Sequence, residues 1–169
     1  IIDHEEIHLN SDLIEYHDEL IKWKWKKNNN PSIAVFLYKS LLQSGNTELA
    51  DKIIDISNKY SLNAKIIWIT SFKSKDVENQ IISLLDKENI KAIITTTSFS
   101  SVEYKDDDVK NNLWDRLDIP VYQLLISSSS VTDWNESTIG LNPIDLSIQV
   151  VLPEVDGRIC TIPVAFKNL

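Results

Sequence analysis

Residues 32–70 read SIAVFLYKSLLQSGNTELADKIIDISNKYSLNAKIIWIT, and this stretch decides the fold of the chain. It begins and ends with a short apolar run, residues 32–38 and 64–70, of the kind that forms a buried strand. Between the two runs the apolar residues follow a helical period and share one face: Leu49, Ile53, Ile56 and Tyr60. A strand, a helix and a second strand in this order predict two parallel strands joined by a crossover helix.

The same alternation continues towards the C-terminus. Next come a helix that Ser74 can cap, a strand over residues 91–97 (KAIITTT), a short helix around Leu113 and a strand over residues 121–126 (VYQLLI). Strands and helices that alternate at this spacing predict an α/β fold. We expect a parallel sheet with helices on both faces, in a flavodoxin-like or Rossmann-like layered architecture.

The N-terminal stretch DLIEYHDELIKWKWKK, residues 12–27, has the features of a separate helix. Asp12 and Glu15 have the spacing of a capping box, and the lysines lie where the helix dipole is negative. The sequence NNNP then interrupts the pattern. We therefore expect residues 1–30 to form a helical segment that packs on a single α/β domain of residues 31–169.

Composition narrows the possible functions. The chain has 169 residues, a net charge of -8 and a sequence pI near 4.8, which argue against nucleic acid as a partner because phosphate binding depends on clustered Lys and Arg. No apolar run has the length of a membrane span. The single cysteine, Cys160, fits a reducing compartment, so we expect a cytoplasmic protein. The absence of Met and the apolar end suggest a portion of a longer polypeptide.

Ligands of parallel α/β folds collect at the carboxyl ends of the strands. Hydroxyl-rich segments follow three of the predicted strands: KSLLQSGNT at 39–47, TTTSFSS at 95–101 and SSSSVTDW at 127–134. These side chains can hydrogen-bond a polar ligand, although Ser and Thr are also ordinary loop residues. Gly45 precedes a helix, but its surroundings lack the spacing of a phosphate-binding loop, so nucleotide binding is not indicated.

Three other patterns have simpler explanations. Residues 4–8, HEEIH, match the HExxH string of zinc proteases, but they lack an apolar helix and a third ligand. Residues 23–27, WKWKK, are explained by tryptophan packing and lysines at a helix end better than by single-stranded nucleic acid. The serine run has no GxSxG motif and no nearby histidine, so a serine hydrolase is disfavoured.

Residues 127–167 closely resemble a segment of the large subunit of cobaltochelatase, of the CobN type, and more loosely the H subunit of magnesium chelatase. The shared features are a strand that ends in small polar residues, a Trp, a Gly-Leu-x-Pro turn and an apolar run that closes in LPExDG. Residues 38–53 and 68–76 are also similar to CobN-type segments. The sequence DGRI in place of DGG points to the cobalt branch.

The resemblance implies insertion of Co2+ into a corrin ring, driven by ATP-Mg that AAA+ ATPase partner subunits hydrolyse. Glu154 is then the expected group that stabilises the metal ion or accepts a ring proton, with Asp156 as its helper and His4 as a possible metal ligand. Arg158 could pair with a peripheral carboxylate of the macrocycle. Further residues are expected to line the ring site: Ser127, Ser128, Ser130, Trp134 and Gly157.

Two alternatives stay open. The segment could be a non-catalytic module that holds a tetrapyrrole or docks the ATPase subunits. It could also belong to a magnesium chelatase H-type protein that acts on protoporphyrin.

Overall fold

A computed structural model describes residues 14–17, 20–98 and 113–166 of the chain. They contain one seven-stranded sheet in the order β1-β2-β4-β3-β5-β6-β7. The strands are β1 Ile14–His17, β2 Leu20–Trp23, β3 Ser32–Tyr38, β4 Asn63–Ile69, β5 Ile90–Thr95, β6 Val121–Ser127 and β7 Ile159–Phe166. Strands β3 to β7 are mutually parallel, whereas β2 is antiparallel to β4 and β1 is antiparallel to β2.

The order of the five parallel strands, β4-β3-β5-β6-β7, is that of the flavodoxin-like fold. In this order the chain leaves the central strand β3 on one side and returns on the other, so a crevice opens between the carboxyl ends of β3 and β5. The predicted α/β class with a parallel sheet is confirmed.

Helices cover both faces of the sheet, as predicted. The helices are α1 Lys39–Gln43, α2 Glu48–Lys59, α3 Lys75–Asp86, α4 Leu113–Leu117, α5 Val131–Glu136, α6 Pro143–Leu146 and α7 Leu152–Val155. A π-helical segment, Ser147–Val151, joins α6 to α7 in one continuous run. The first core cluster packs α3 and α4 on one face of the sheet, through Ile81 and Trp114. The second packs α1 and α2 on the other, through Leu42 and Ala50.

The apolar face of α2 is only partly buried. Leu49 and Ile53 pack against the second core cluster, whereas Ile56 and Tyr60 of the same predicted face are 49% and 67% exposed. The helix instead buries Ala50 and Ser57. Small side chains at these positions let the helix backbone approach the sheet closely, and periodicity alone weighs only the large apolar residues.

The predicted N-terminal helix over residues 12–27 is wrong. The described part of this stretch forms β1 and β2, which extend the sheet beyond β4. Side chains of β2 alternate between the two faces, because Leu20 belongs to the first cluster and Ile21 and Trp23 to the second. A strand that is buried on both faces has an almost continuous apolar run, which resembles a helical pattern over so short a length.

None of the helices in the described part of the chain is long and apolar enough to cross a lipid bilayer.

Candidate functional site

The serines that follow β6 lie at the carboxyl end of the sheet. Ser127, the last residue of β6, is fully buried, whereas the Ser128 side chain is exposed. Ser130 caps α5: its Oγ accepts a hydrogen bond from the Asp133 N–H at 3.1 Å. Trp134 of α5 packs against Phe166 of β7, with 5.6 Å between the ring centroids. Three of the four predicted ring-site residues here are therefore at least partly accessible, and Ser127 is part of the scaffold.

Asp145 fixes this serine loop, and the sequence analysis did not assign it to the site. The Oδ2 atom of this buried carboxylate accepts hydrogen bonds from the N–H and the Oγ of Ser128, at 2.7 and 2.9 Å. The Nδ2 of Asn142 donates to the same oxygen at 2.9 Å. Asn142 is also the N-cap of α6, with Pro143 at the first helical position. The sequence Asn-Pro-x-Asp is the signal that marks Asp145, because it predicts a capped first turn with an acid in it.

The π-helical segment brings a second polar side chain to β6. The Gln149 amide accepts from the Ile126 N–H at 2.7 Å and donates to the Ile126 carbonyl at 2.6 Å. Beside this point the pairing of β6 with β7 shifts its register, between Leu125 and Ile126. The Gln149 side chain thus supplies the hydrogen bonds that an unbroken strand would make, and helical segments of this kind are frequent near functional sites.

The acidic turn after α7 separates into an exposed and a buried part. Glu154 is exposed, and Gly157 has a φ of +74°, a conformation that favours glycine. Asp156 and Arg158 form an ion pair of 2.7 Å, and neither side chain is accessible to solvent. Of the predicted residues in this turn, only Glu154 presents a charged group to the surface.

Arg158 lies in the interior of the domain. Its guanidinium donates to the Thr97 carbonyl at 2.9 Å and to the Gln123 amide oxygen at 3.0 Å, and it lies over the Trp114 ring at 5.2 Å. Burial lowers the pKa of Arg158, and Asp156 opposes this effect. The predicted contact between Arg158 and a peripheral carboxylate of a ring does not fit this position, because the guanidinium is enclosed and engaged by protein groups.

The structure does not bring the acidic turn and the serines together. Strand β7 begins at Ile159, which pairs with Tyr122 near the start of β6, whereas Ser127 at the end of β6 pairs with Phe166. Five residues of extended chain separate Tyr122 from Ser127, or about 17 Å at roughly 3.3 Å per residue. Glu154 therefore lies near the amino end of these strands and the serines at their carboxyl end.

Glu154 has an electrostatic neighbour in Cys160. Burial raises the pKa of the Cys160 thiol, the Glu154 carboxylate raises it further, and Arg158 opposes both effects. The thiol lies 3.6 Å from the Val150 carbonyl oxygen. It is therefore kept protonated and is a poor nucleophile at neutral pH.

A cleft of about 310 Å³ opens at the carboxyl ends of β3, β4 and β5. Its lining consists of Tyr38, Thr70, Ser71, Phe72, Lys73, Thr97 and Ser98. The Tyr38 hydroxyl donates to the Ser98 carbonyl at 3.1 Å, and burial raises the pKa of Tyr38. The cleft lies where the strand order reverses. The hydroxyl-rich segment after residue 95 was the signal for it in the sequence, but the residues after β4 were not predicted.

No group of three or more His, Cys, Asp or Glu side chains that could hold a metal ion occurs within residues 14–17, 20–98 and 113–166. His4, a predicted metal ligand, lies outside the described residues. Within the described residues, Glu154 therefore belongs to no cluster of side chains that could hold a metal ion.

Comparison with known proteins places this fold and these motifs in a family. The family model described as CobN/Magnesium Chelatase matches residues 2–169. The Aerobic cobaltochelatase subunit CobN of Pseudomonas aeruginosa is 30% identical over 156 residues, which cover 90% of this chain and 12% of that protein. The chloroplastic Magnesium-chelatase subunit ChlH of Oryza sativa is 27% identical over 143 residues, 79% of this chain and 10% of the relative.

A solved structure gives the same fold. The catalytic subunit of cobaltochelatase from Mycobacterium tuberculosis aligns with a TM-score of 0.78 at 24% identity, covering 90% of this chain and 14% of that one. The chain thus spans about one eighth of the length of these relatives. Because the family model matches from residue 2 to the last residue, this chain belongs to the CobN/magnesium chelatase family.

Proposed function

We propose that this chain is a segment of the large subunit of an ATP-dependent cobaltochelatase, which binds a corrin ring and inserts Co2+ during cobalamin biosynthesis. ATP-Mg would be hydrolysed by separate AAA+ partner subunits in the cytoplasm, and this chain would contribute part of the ring site. The observation that carries the proposal is the polar edge after β6, where Asp145 fixes the exposed Ser128 shortly before α5, the helix that bears the partly exposed Trp134. Small hydroxyl groups beside a flat aromatic side chain suit a ring with polar side arms.

The ring would lie on this edge with its plane against Trp134. Ser128 is held by three protein contacts through Asp145 and Asn142, so little conformational entropy is lost when a ligand hydrogen-bonds to it. Ser130 supports the same edge through its cap on α5. The remaining walls of the site would come from the longer polypeptide, because a macrocycle site buries most of its ligand.

Glu154 has a more limited role in this proposal. Its carboxylate is exposed and has no hydrogen-bond partner in the described part of the chain, so it can accept a proton or bind a divalent ion. It lies at the other end of β6 from Trp134, so both cannot contact one ring through this segment alone. Glu154 would act only together with groups of the longer polypeptide, and Asp156 would maintain the turn through its ion pair.

The experiment is a titration of the chain with the metal-free corrinoid hydrogenobyrinic acid diamide, followed by absorbance and tryptophan fluorescence. Wild type and Glu154→Gln should bind with the same affinity. Trp134→Leu should bind about tenfold more weakly, because the packing of the corrinoid ring against the Trp134 side chain is lost. Tyr60→Leu, a change of an exposed aromatic residue directly after α2, is the matched control. Lack of saturable binding, or equal binding by Trp134→Leu, would remove the ring site from this edge.

A docking module is the second candidate, and one observation favours it. Large apolar side chains are exposed along the last third of the chain: Ile144, Leu146, Val151, Val155, Ile159, Ile162 and Val164. Such a surface is usually covered by another protein segment. Docking would be favoured if the wild-type chain captures purified ATPase subunits but does not bind the corrinoid. The double variant Ile162→Ser with Val164→Ser should then no longer capture them. Saturable binding of protoporphyrin in preference to the corrinoid would favour the magnesium chelatase H-type alternative.

A further inference from the structure

The cleft at the carboxyl ends of β3, β4 and β5 has no part in the function proposed above. It lies between the ends of β3 and β5, the position at which parallel α/β folds of this strand order bind ligands. Its volume of about 310 Å³ is at the small end of the range for ligand pockets. Such a cleft can hold a side arm of a large molecule, but not a whole macrocycle.

The charge of the cleft favours an anion. Among the described residues that line it, Lys73 is the only one with a charged side chain. Within the described residues, the Lys73 ammonium has neither a hydrogen bond nor an ion pair, whereas Lys24, Lys65 and Lys75 each pair with an acid. An ammonium that no protein carboxylate neutralises can pair with an incoming carboxylate.

Hydroxyl groups complete the lining. Thr70, Ser71 and Ser98 offer donors around the cleft, and the Tyr38 hydroxyl is held in place by the Ser98 carbonyl at 3.1 Å. A carboxylate accepts several hydrogen bonds, and donors of this kind bind it together with a cation. No acidic side chain lines the cleft among the described residues.

Buried hydrogen bonds hold the residues that form the wall of the cleft. The Thr97 carbonyl accepts from the buried Arg158 at 2.9 Å, and the hydroxyls of Thr95 and Thr97 lie 2.7 Å apart. Tyr38 ends β3, which is paired on both sides. A site with fixed walls loses little entropy on binding.

We propose that this cleft binds a carboxylate side arm of the tetrapyrrole, with Lys73 as its counter-ion and the hydroxyls of Thr70, Ser71 and Ser98 around it. The inference rests on the proposed ring binding and assigns to Lys73 the contact that the sequence suggested for Arg158. The ring itself would remain on Trp134, beyond the same end of the sheet.

The test is a titration of the chain with hydrogenobyrinic acid diamide and with its methyl ester. Lys73→Ala should weaken binding of the acid about fivefold to tenfold and leave binding of the ester unchanged, because only the acid carries an anion. Lys91→Ala removes one exposed lysine at the opposite end of β5 and should change neither affinity. Equal acid binding by wild type and Lys73→Ala would overturn the inference.

Amide NMR shifts in the same titration locate the contact. The inference expects shifts at Ser71, Lys73 and Ser98 with the acid and smaller shifts there with the ester. Shifts confined to residues 127–134 would overturn the cleft assignment and leave the proposed ring binding intact. Binding by neither compound would overturn both. Shifts at Lys73 with 1 mM inorganic phosphate but none with the corrinoid would assign the cleft to a phosphate group and overturn the carboxylate arm.

Discussion

The side-chain amide of Gln149 pairs with the backbone of Ile126 as a neighbouring strand would, with hydrogen bonds of 2.7 and 2.6 Å. The Gln149 side chain is buried, so solvent cannot replace these bonds. The π-helical segment is what places this residue against β6 at the point where β6 and β7 shift register.

Gln149→Leu should lower the free energy of unfolding by about 2–6 kcal/mol, because an N–H and a carbonyl of Ile126 would lose their partners, at about 1–3 kcal/mol each. Urea unfolding followed by circular dichroism measures the change. Gln43→Leu, an exposed change on α1, is the control and should stay within about 0.5 kcal/mol. A similar small effect of Gln149→Leu would show that water replaces the lost bonds.

Arg158→Met should destabilise the chain by about 3–5 kcal/mol, because it leaves the Asp156 carboxylate buried without its counter-ion. The double variant Arg158→Met with Asp156→Asn should recover a part of this loss, since the uncompensated charge is gone. Chemical denaturation of the two single variants and the double variant gives the coupling free energy. Strictly additive effects would contradict a direct interaction between the two side chains.

Glu154→Gln should increase the rate at which iodoacetamide alkylates Cys160. The pKa of this thiol is raised by burial and by Glu154, so removal of the carboxylate lowers the pKa and increases the thiolate fraction at a given pH. The alkylation rate is measured at several pH values between about 7 and 9, a range that includes the usual thiol pKa of about 8.5. Glu136→Gln on α5 is the control. An equal alkylation rate in the two variants would show that the Glu154 carboxylate does not affect the Cys160 thiol.

Gly157→Ala should cost about 1 kcal/mol of stability and leave corrinoid affinity unchanged. The φ of +74° strains any residue with a Cβ, but no atom beyond the two adjacent residues lies within 4 Å of the position that the Cβ would take. Gly157→Asn should cost less, since Asn tolerates this conformation. Thermal unfolding gives the stability, and a loss of ring affinity in a folded Gly157→Ala protein would assign the turn to the binding site.

The central part of the fold was predictable because its elements follow local patterns. Strand β3 corresponds to the apolar run at 32–38, and Ser74 is the N-cap residue of α3, as the sequence predicts. The edges of the sheet were not predictable in this way. Strand β2 depends on its pairing with β4, a contact between residues more than 40 positions apart.

Strand β7 was missed for a different reason. It contains Pro163, which lacks an N–H and is found in sheets at edges and irregular positions. The register of β6 and β7 shifts on both sides of the Leu125–Pro163 pair. A proline in an apolar run argues against a strand when only the sequence is known, and its tolerance here comes from the edge position of β7.

The candidate site was predicted in composition more than in arrangement. The serines and Trp134 do lie at the carboxyl edge of the sheet, but Arg158 forms an ion pair with Asp156 in the interior. Whether a charged side chain points outward depends on which strands flank it, and the sequence holds no local signal for that. Lys73 was not predicted, because only the folded arrangement of the strands places it beside the cleft at the end of β3.

The central position of β3 also determines how the domain opens. Ala34 and Phe36 belong to the first core cluster, and Ile33, Val35 and Leu37 belong to the second. The strand is therefore shared by both layers, and neither layer can lose its packing without exposing the other. Its amide protons should exchange with solvent only through global unfolding, so both helical layers form one cooperative folding unit around a single strand.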